Sequence, residues 1–148
     1  MKYFAYGCNM NPEKMEDRNI TFSHRTLAIL KGYNLKFNKV ASSNPKEGYA
    51  NIVPYEKGIV EGALYDIQDS ALSNLDRYEG YPNHYDKIRV KVLLDIGQEV
   101  EAITYIAKPD KIKEGLKPKK DYLKHLLSAR DILSEPYCKR LKSYDTLD

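Results

Sequence analysis

The chain contains 148 residues, which suits one domain, residues 1–148, and leaves no room for two full domains joined by a linker. Hydrophobic residues make up 42% and charged residues 30%, a balance that excludes a disordered or fibrous chain and predicts a soluble globular protein. The 24 basic and 21 acidic residues leave a formal net charge of only +3, so no nucleic-acid partner is expected.

Neither a membrane span nor a secretory signal is expected. No run approaches the roughly 20 apolar residues that cross a bilayer, and the apolar run at the N-terminus is too short for a signal peptide. We therefore expect no membrane partner and a cytoplasmic location. The two cysteines, Cys8 and Cys138, lie far apart without CxxC spacing, which argues against disulfide and zinc frameworks.

The first predicted elements are a strand and a helix separated by a short loop. Residues 2–6 form an apolar run that ends at Gly7, which predicts a buried strand. Asn11 followed by Pro12 predicts the start of a helix, with asparagine as the N-cap and proline at the first helical position.

The middle of the chain has the pattern of strands. Residues 25–40 are apolar and aromatic with Gly32 inside, which predicts one bent strand or two strands. Residues 59–67 predict a further strand. Residues 87–92 alternate between apolar and basic side chains and are expected to form a hairpin with residues 99–107.

Helical spacing appears once between the strands and dominates the last third. Residues 69–78 predict a helix with a capping residue at its start, and residues 122–133 and 137–144 predict two more. This order favours an α+β protein in which helices pack outside a strongly curved mixed β-sheet.

The loop from Tyr6 to Asn9 is the first candidate site. A strand that breaks at Gly7 and leads into a helix leaves backbone N–H groups without partners, and these groups suit a carboxylate or a developing oxyanion. The alternative is a plain connector in which the glycine only relieves a turn.

Glu79 is the second candidate. On a helix it lies on the same face as Leu72 and Leu75, so its carboxyl group is expected to point inward. Burial and the negative end of the helix dipole both favour the neutral acid, so a raised pKa is expected, which suits a group that exchanges protons near neutral pH. The alternative is a side chain that turns to solvent or pairs with Arg77 or Arg89.

Other chemistries have weaker support. Cys8 could act as a nucleophile at a helix N-terminus with His24, His84 or His125 as base, but no hydrolase signature surrounds it. The histidines lack paired ligand spacing, so no metal is expected, and Gly7 begins no nucleotide-binding motif.

Two motifs resemble those of the gamma-glutamylcyclotransferase-like family. Residues 3–10, Tyr-Phe-Ala-Tyr-Gly-Cys-Asn-Met, are similar to its N-terminal strand followed by Tyr-Gly-Ser-Asn. Residues 75–80, Leu-Asp-Arg-Tyr-Glu-Gly, resemble its Leu-Asp-x-x-Glu-Gly motif, in which the glutamate is the catalytic acid/base. The agreement extends to Tyr85, Tyr122 and residues 136–137, and covers nearly the whole chain.

The resemblance implies a curved mixed β-sheet or small β-barrel with flanking helices. It also implies conversion of a gamma-glutamyl amino acid or gamma-glutamyl amine to 5-oxoproline, without metal or cofactor. Glu79 would be the general acid/base. The substrate-binding residues that it implies are Tyr6, Gly7, Cys8, Asn9, Tyr85 and Tyr122.

Cys8 stands where the family has serine, which leaves the released amine or amino acid open. A binding protein of the same fold without turnover and a Cys8-dependent hydrolase remain the alternatives. A homodimer is also left open.

Overall fold

The computed structural model describes residues 1–148 and contains a closed β-barrel of five strands. The strands are β1 (Lys2–Ala5), β2 (Phe22–Ala41), β3 (Asn44–Ile67), β4 (Tyr85–Leu94) and β5 (Glu99–Ala107). Around the barrel the order is β1-β3-β2-β4-β5, and β1 pairs in parallel with β5 to close it, while the other pairs are antiparallel. The α+β class and the small barrel are therefore confirmed.

Four short helices pack outside the barrel. They are α1 (Pro12–Asp17), α2 (Leu72–Glu79), α3 (Lys120–Leu127) and α4 (Glu135–Lys142). Apolar residues of all four join the buried core, among them Met15, Leu75, Leu126 and Leu141, which are fully buried. None of these helices has the length and apolar character that crossing a bilayer requires.

The predicted start of α1 is confirmed, because the Asn11 side chain accepts a hydrogen bond from the Glu13 N–H at 3.1 Å and Pro12 follows it. The predicted cap of the next helix is wrong. Asp69 begins a 3₁₀ turn, Asp69–Ala71, and α2 starts at Leu72 without a capping side chain.

The helix predicted over residues 122–133 is shorter than expected. α3 ends at Leu127, and a 3₁₀ turn, Ser128–Asp131, follows. The Ser128 hydroxyl donates to the carbonyl of His125 at 2.6 Å, a local bond that competes with continuation of the α-helix.

The long hairpin of β2 and β3 differs most from the prediction. β2 is one strand with several register shifts, and it begins at Phe22 rather than at residue 25. β3 extends over Asn44–Ile67, whereas only residues 59–67 were predicted. Its first half contains Pro45 and Gly48, residues that usually interrupt strands. Gly48 is required there, because a Cβ atom would lie 2.0 Å from the carbonyl oxygen of Phe37.

Candidate active site

A cavity of about 460 Å³ lies where β1 ends, bounded by the C-terminal end of α2 and by α3. This volume lies in the usual range of small-molecule sites. Every site residue predicted from the sequence lines it, namely Tyr6, Gly7, Cys8, Asn9, Glu79, Tyr85 and Tyr122. The structure thus brings together two motifs that are about half of the chain apart.

The loop after β1 presents backbone donors without acceptors. The N–H groups of Gly7, Cys8 and Asn9 donate to no acceptor in the chain, whereas Met10 and Asn11 donate to the Gly7 and Cys8 carbonyls at 3.0 and 3.1 Å. A Cβ atom on Gly7 would lie 3.2 Å from the Tyr122 hydroxyl, so glycine permits the close approach of loop and helix. Three neighbouring donors in one turn suit an anion or an oxyanion.

The carbonyl groups of this loop are held from outside the cavity. The Tyr65 hydroxyl donates to the carbonyl of Asn9 at 2.7 Å, and the Arg25 guanidinium donates to that of Met10 at 3.1 Å. Neither side chain lines the cavity. These bonds therefore fix the loop while leaving its free N–H groups available.

Glu79 is the last residue of α2 and lies in the cavity, as expected. Gly80 ends the helix in the left-handed conformation at φ 64°. Burial raises the pKa of Glu79 from 4.5 to about 7, although the positive charges of Arg18 and Lys39 oppose the rise. The predicted direction of the shift is confirmed, and Glu79 pairs with neither Arg77 nor Arg89. A carboxyl group of this kind can both accept and return a proton near neutral pH.

Asn9 links the loop to Glu79. Its side-chain oxygen accepts a hydrogen bond from Arg18 at 2.8 Å, and since Arg18 can only donate, the amide nitrogen must face the other way. That nitrogen lies 3.3 Å from Oε1 of Glu79 and 3.1 Å from the Tyr3 hydroxyl. Asn9 is 2% exposed, so this arrangement is shielded from solvent.

The three predicted tyrosines have different hydrogen-bonding states. Tyr6 and Tyr85 donate their hydroxyl protons to the carbonyls of Tyr105 and Ala50, at 2.6 and 2.8 Å. Tyr122 instead accepts from the N–H of Ala50 at 3.0 Å, which leaves its own proton free to donate. Of the three, Tyr122 is therefore the best placed to bind a ligand through its hydroxyl group.

The three histidines do not activate Cys8. The hydrogen-bond partner of His84 is Lys39, that of His125 is Asn11 and that of His24 is Ser23, and no histidine is hydrogen-bonded to the thiol. Burial raises the pKa of Cys8, which disfavours the thiolate that a nucleophile needs. No group of three or more histidine, cysteine, aspartate or glutamate side chains is arranged to hold a metal ion.

Three cations of the cavity were missed by the sequence reasoning, namely Lys14, Arg18 and Lys39. Arg18 follows α1 and binds Asn9, and Lys39 lies on β2 with 3% of its surface exposed. Lys39 follows Leu35 and Phe37 at alternate positions, so its inward direction could have been inferred from the period of two. Arg18 gives no comparable signal.

Comparison with known proteins agrees with this fold. Residues 3–124 match the family described as "Gamma-glutamyl cyclotransferase, AIG2-like". The chain therefore belongs to the AIG2-like gamma-glutamyl cyclotransferase family.

Individual relatives are similar over parts of their length. The human gamma-glutamylcyclotransferase is 30% identical over 108 residues, which are 70% of this chain and 57% of that protein. A Methanocaldococcus jannaschii protein with a provisional gamma-glutamylcyclotransferase name is 36% identical over 80 residues, 49% of this chain and 65% of its own. The chain spans less than two thirds of the curated relatives it matches.

A solved structure of a gamma-glutamyl cyclotransferase superimposes with a TM-score of 0.87 at 27% identity. The superposition covers 100% of this chain and 89% of that structure's chain. The likeness therefore includes the helical last third as well as the barrel.

Proposed function

We propose that the chain is a gamma-glutamylcyclotransferase that converts a gamma-glutamyl compound to 5-oxoproline and releases the attached amine or amino acid. The observation that carries the proposal is the placement of Glu79, with a pKa of about 7, in the same cavity as the three free N–H groups of residues 7–9. Such a site has a proton acceptor and an oxyanion-binding turn, which are the two groups that the reaction needs.

The substrate supplies its own nucleophile. The α-ammonium group of the glutamyl moiety gives a proton to the Glu79 carboxylate, and the resulting amine attacks the gamma-carbonyl carbon. A carbon–nitrogen bond forms and closes a five-membered ring, while the carbonyl oxygen takes up negative charge. Donors of the 7–9 turn are suited to stabilise that charge.

Collapse of this intermediate completes the reaction. The bond between the former carbonyl carbon and the departing nitrogen breaks as Glu79 returns its proton to that nitrogen. The ring nitrogen then gives its second proton to the Glu79 carboxylate, which passes it to the departing amine. The carbonyl of 5-oxoproline re-forms, so no water, metal or protein nucleophile is consumed. Holding the amine against the carbonyl is an orientation effect that can lower the barrier by several kcal/mol.

Arg18 is suited to the α-carboxylate of the glutamyl group. It hydrogen-bonds Asn9. The positive charge of Arg18 lowers the pKa of Glu79 more than the positive charge of Lys39 does. A carboxylate next to Arg18 would bring the neighbouring α-ammonium group toward Glu79. Tyr122, with its free hydroxyl proton, is suited to a polar atom of the same group.

The reaction is tested with a gamma-glutamyl dipeptide and its N-acetylated derivative, by measuring 5-oxoproline and the released amine. We expect 5-oxoproline only from the dipeptide with a free α-amine. Replacing Glu79 with Gln should lower turnover by roughly 10²-fold or more, because the amide cannot exchange the proton. Glu56→Gln, at an exposed position, is the matched control and should keep full activity.

Two results would overturn the proposal. Release of amine from the N-acetylated compound at the rate of the parent would show that water or the protein attacks the carbonyl. Binding of the dipeptide without any 5-oxoproline would instead identify a binding protein of the same fold.

A further inference from the structure

Asp76 lies one turn before Glu79 on α2 and contacts two strands of the barrel. Its Oδ1 accepts a hydrogen bond from the Tyr105 hydroxyl at 2.5 Å. Lys87 donates to both oxygens of the same carboxylate, at 3.1 and 3.0 Å. Lys87 on β4 and Tyr105 on β5 are direct cross-strand partners. One carboxylate therefore ties the helix to both strands of this pair.

The helix α2 is short and depends on such contacts. It has eight residues, it begins without a capping side chain, and Leu75 is its buried residue. Helices of this length are stabilised mainly by tertiary packing. A carboxylate in the last turn is also disfavoured by the negative end of the helix dipole. The contacts with Lys87 and Tyr105 are thus what makes Asp76 favourable at this position.

The segment on the other side of Glu79 is held by the same lysine. The Tyr81 N–H donates to the carbonyl of Asp76 at 2.9 Å, and the Tyr81 ring lies 4.5 Å from Nζ of Lys87. Residues 76 and 81 therefore both contact Lys87, and Glu79 lies between them.

Tyr105 connects Asp76 to the wall of the cavity. The Tyr105 ring lines the cavity and packs edge-on against Tyr3, with 6.0 Å between ring centres. The Tyr3 hydroxyl lies 3.1 Å from the amide nitrogen of Asn9, the side chain that contacts Glu79. Burial and the bond to Asp76 raise the pKa of Tyr105, so its hydroxyl keeps the proton that it donates. Asp76 is thus connected to Glu79 both along the helix and through the cavity wall.

We infer that Asp76 is a positioning residue for the reaction, because its bond to Tyr105 holds Glu79 buried in the cavity where the substrate reacts. This inference rests on the proposed function, which gives Glu79 its role. Asp76 does not line the cavity and acts through other residues. Without the bond, the end of α2 is free to turn toward solvent, and the carboxyl group of Glu79 gains water and loses its alignment.

The charge of Asp76 and its hydrogen bond can be separated. Burial raises the pKa of Glu79 to about 7, and the nearby charges that oppose the rise are those of Arg18 and Lys39. A less buried carboxyl group would therefore titrate closer to 4.5. Asp76→Asn removes the negative charge but keeps an oxygen that accepts from Tyr105, whereas Asp76→Ala removes both.

Turnover of a gamma-glutamyl dipeptide gives the first measurement. Asp76→Ala should lower kcat about 10- to 100-fold, the cost of displacing a reacting group by about 1 Å. Its KM should stay within about threefold, because the N–H groups of residues 7–9 remain in place. Asp76→Asn should keep kcat within about threefold. Asp95→Ala, at an exposed position, is the matched control and should keep full activity.

NMR titration of isotope-labelled carboxyl carbons gives a second measurement, which needs no turnover. The Glu79 resonance is assigned by its absence in Glu79→Gln. It should titrate at about 7 in the unmodified chain and in Asp76→Asn, and closer to 4.5 in Asp76→Ala. A residue that only stabilised the fold would change the free energy of unfolding without moving this pKa.

Tyr105→Phe tests the same bond from its other end. It should lower both kcat and the pKa of Glu79, and it takes the place of Asp76→Ala if circular dichroism shows that the alanine variant is unfolded. Combining the two substitutions should add no further loss of kcat, because residues that act through one bond are not additive.

Three results would each overturn the inference. They are an unchanged kcat and Glu79 pKa in the folded Asp76→Ala or Tyr105→Phe variant, an Asp76→Asn variant as impaired as Asp76→Ala, and losses that add in the double variant.

The titration also separates this inference from the reaction. If no dipeptide yields 5-oxoproline but the pKa of Glu79 falls in Asp76→Ala and not in Asp76→Asn, the proposed reaction fails and the positioning of Glu79 stands. If Asp76→Ala forms 5-oxoproline at the rate of the unmodified chain with the same Glu79 pKa, the reaction stands and the positioning role fails.

Discussion

Replacement of Glu79 by Gln should stabilise the protein at neutral pH, by an amount that depends on pH. The folded chain holds the carboxyl group with a pKa of about 7, against an ordinary value of 4.5. Between these pH values the folded protein keeps a proton that the unfolded chain has released, so its stability falls as the pH rises. The loss of stability caused by the buried carboxylate is absent below pH 4.5 and fully present above a pH of about 7.

The size of this effect follows from the same two values. The rise of the Glu79 pKa from 4.5 to about 7 corresponds to about 3 kcal/mol of unfolding free energy, at 1.36 kcal/mol for each pKa unit. Gln has nearly the same size but no charge. The free energy of unfolding of the variant, minus that of the unmodified protein, should therefore rise by about 3 kcal/mol between pH 4 and pH 8.

Urea denaturation followed by circular dichroism at several pH values measures this difference. Titration of the other carboxyl groups cancels in the subtraction, because both proteins contain them. Glu56→Gln provides the control, since that side chain is exposed and its difference should stay flat. A flat difference for Glu79→Gln, or a variant that loses stability at pH 8, would show that the carboxyl group is not desolvated in the folded chain.

Three further outcomes are expected. The kcat/KM for 5-oxoproline formation should fall below a pH of about 7, where Glu79 becomes protonated, and a pH–rate profile with no acidic limb near that value would contradict its role as base. Cys8→Ser should keep kcat/KM within about tenfold, because the proposed oxyanion contacts come from backbone N–H groups, and complete loss would point to the thiol. Tyr122→Phe should lower the urea-derived stability by about 1–3 kcal/mol, because the N–H of Ala50 loses its acceptor, and an unchanged stability would exclude that bond.

Much of the candidate site could be predicted from local sequence. Gly7 after an apolar run, and the cap at Asn11, define a loop between a strand and a helix without reference to the rest of the chain. Glu79 lies on the apolar face of its helix, and burial of the fully enclosed Leu75 on that face carries the carboxyl group inward with it. These features depend on residues within one or two turns of each other, so their periodicity predicts them.

What the sequence by itself determined was therefore the strand-to-helix loop, the inward face of α2 and the α+β class. The tertiary structure alone decided the closure of the barrel and the first half of β3, because pairing with a distant strand stabilises Pro45 and Gly48 where local propensity opposes a strand. It also decided the meeting of Asn9 with Glu79, 70 positions apart, and the placement of Lys39 and Glu79 in one cavity. Packing brings such distant residues together, removes water from around them and allows them to form hydrogen bonds. A local sequence pattern therefore does not predict these interactions.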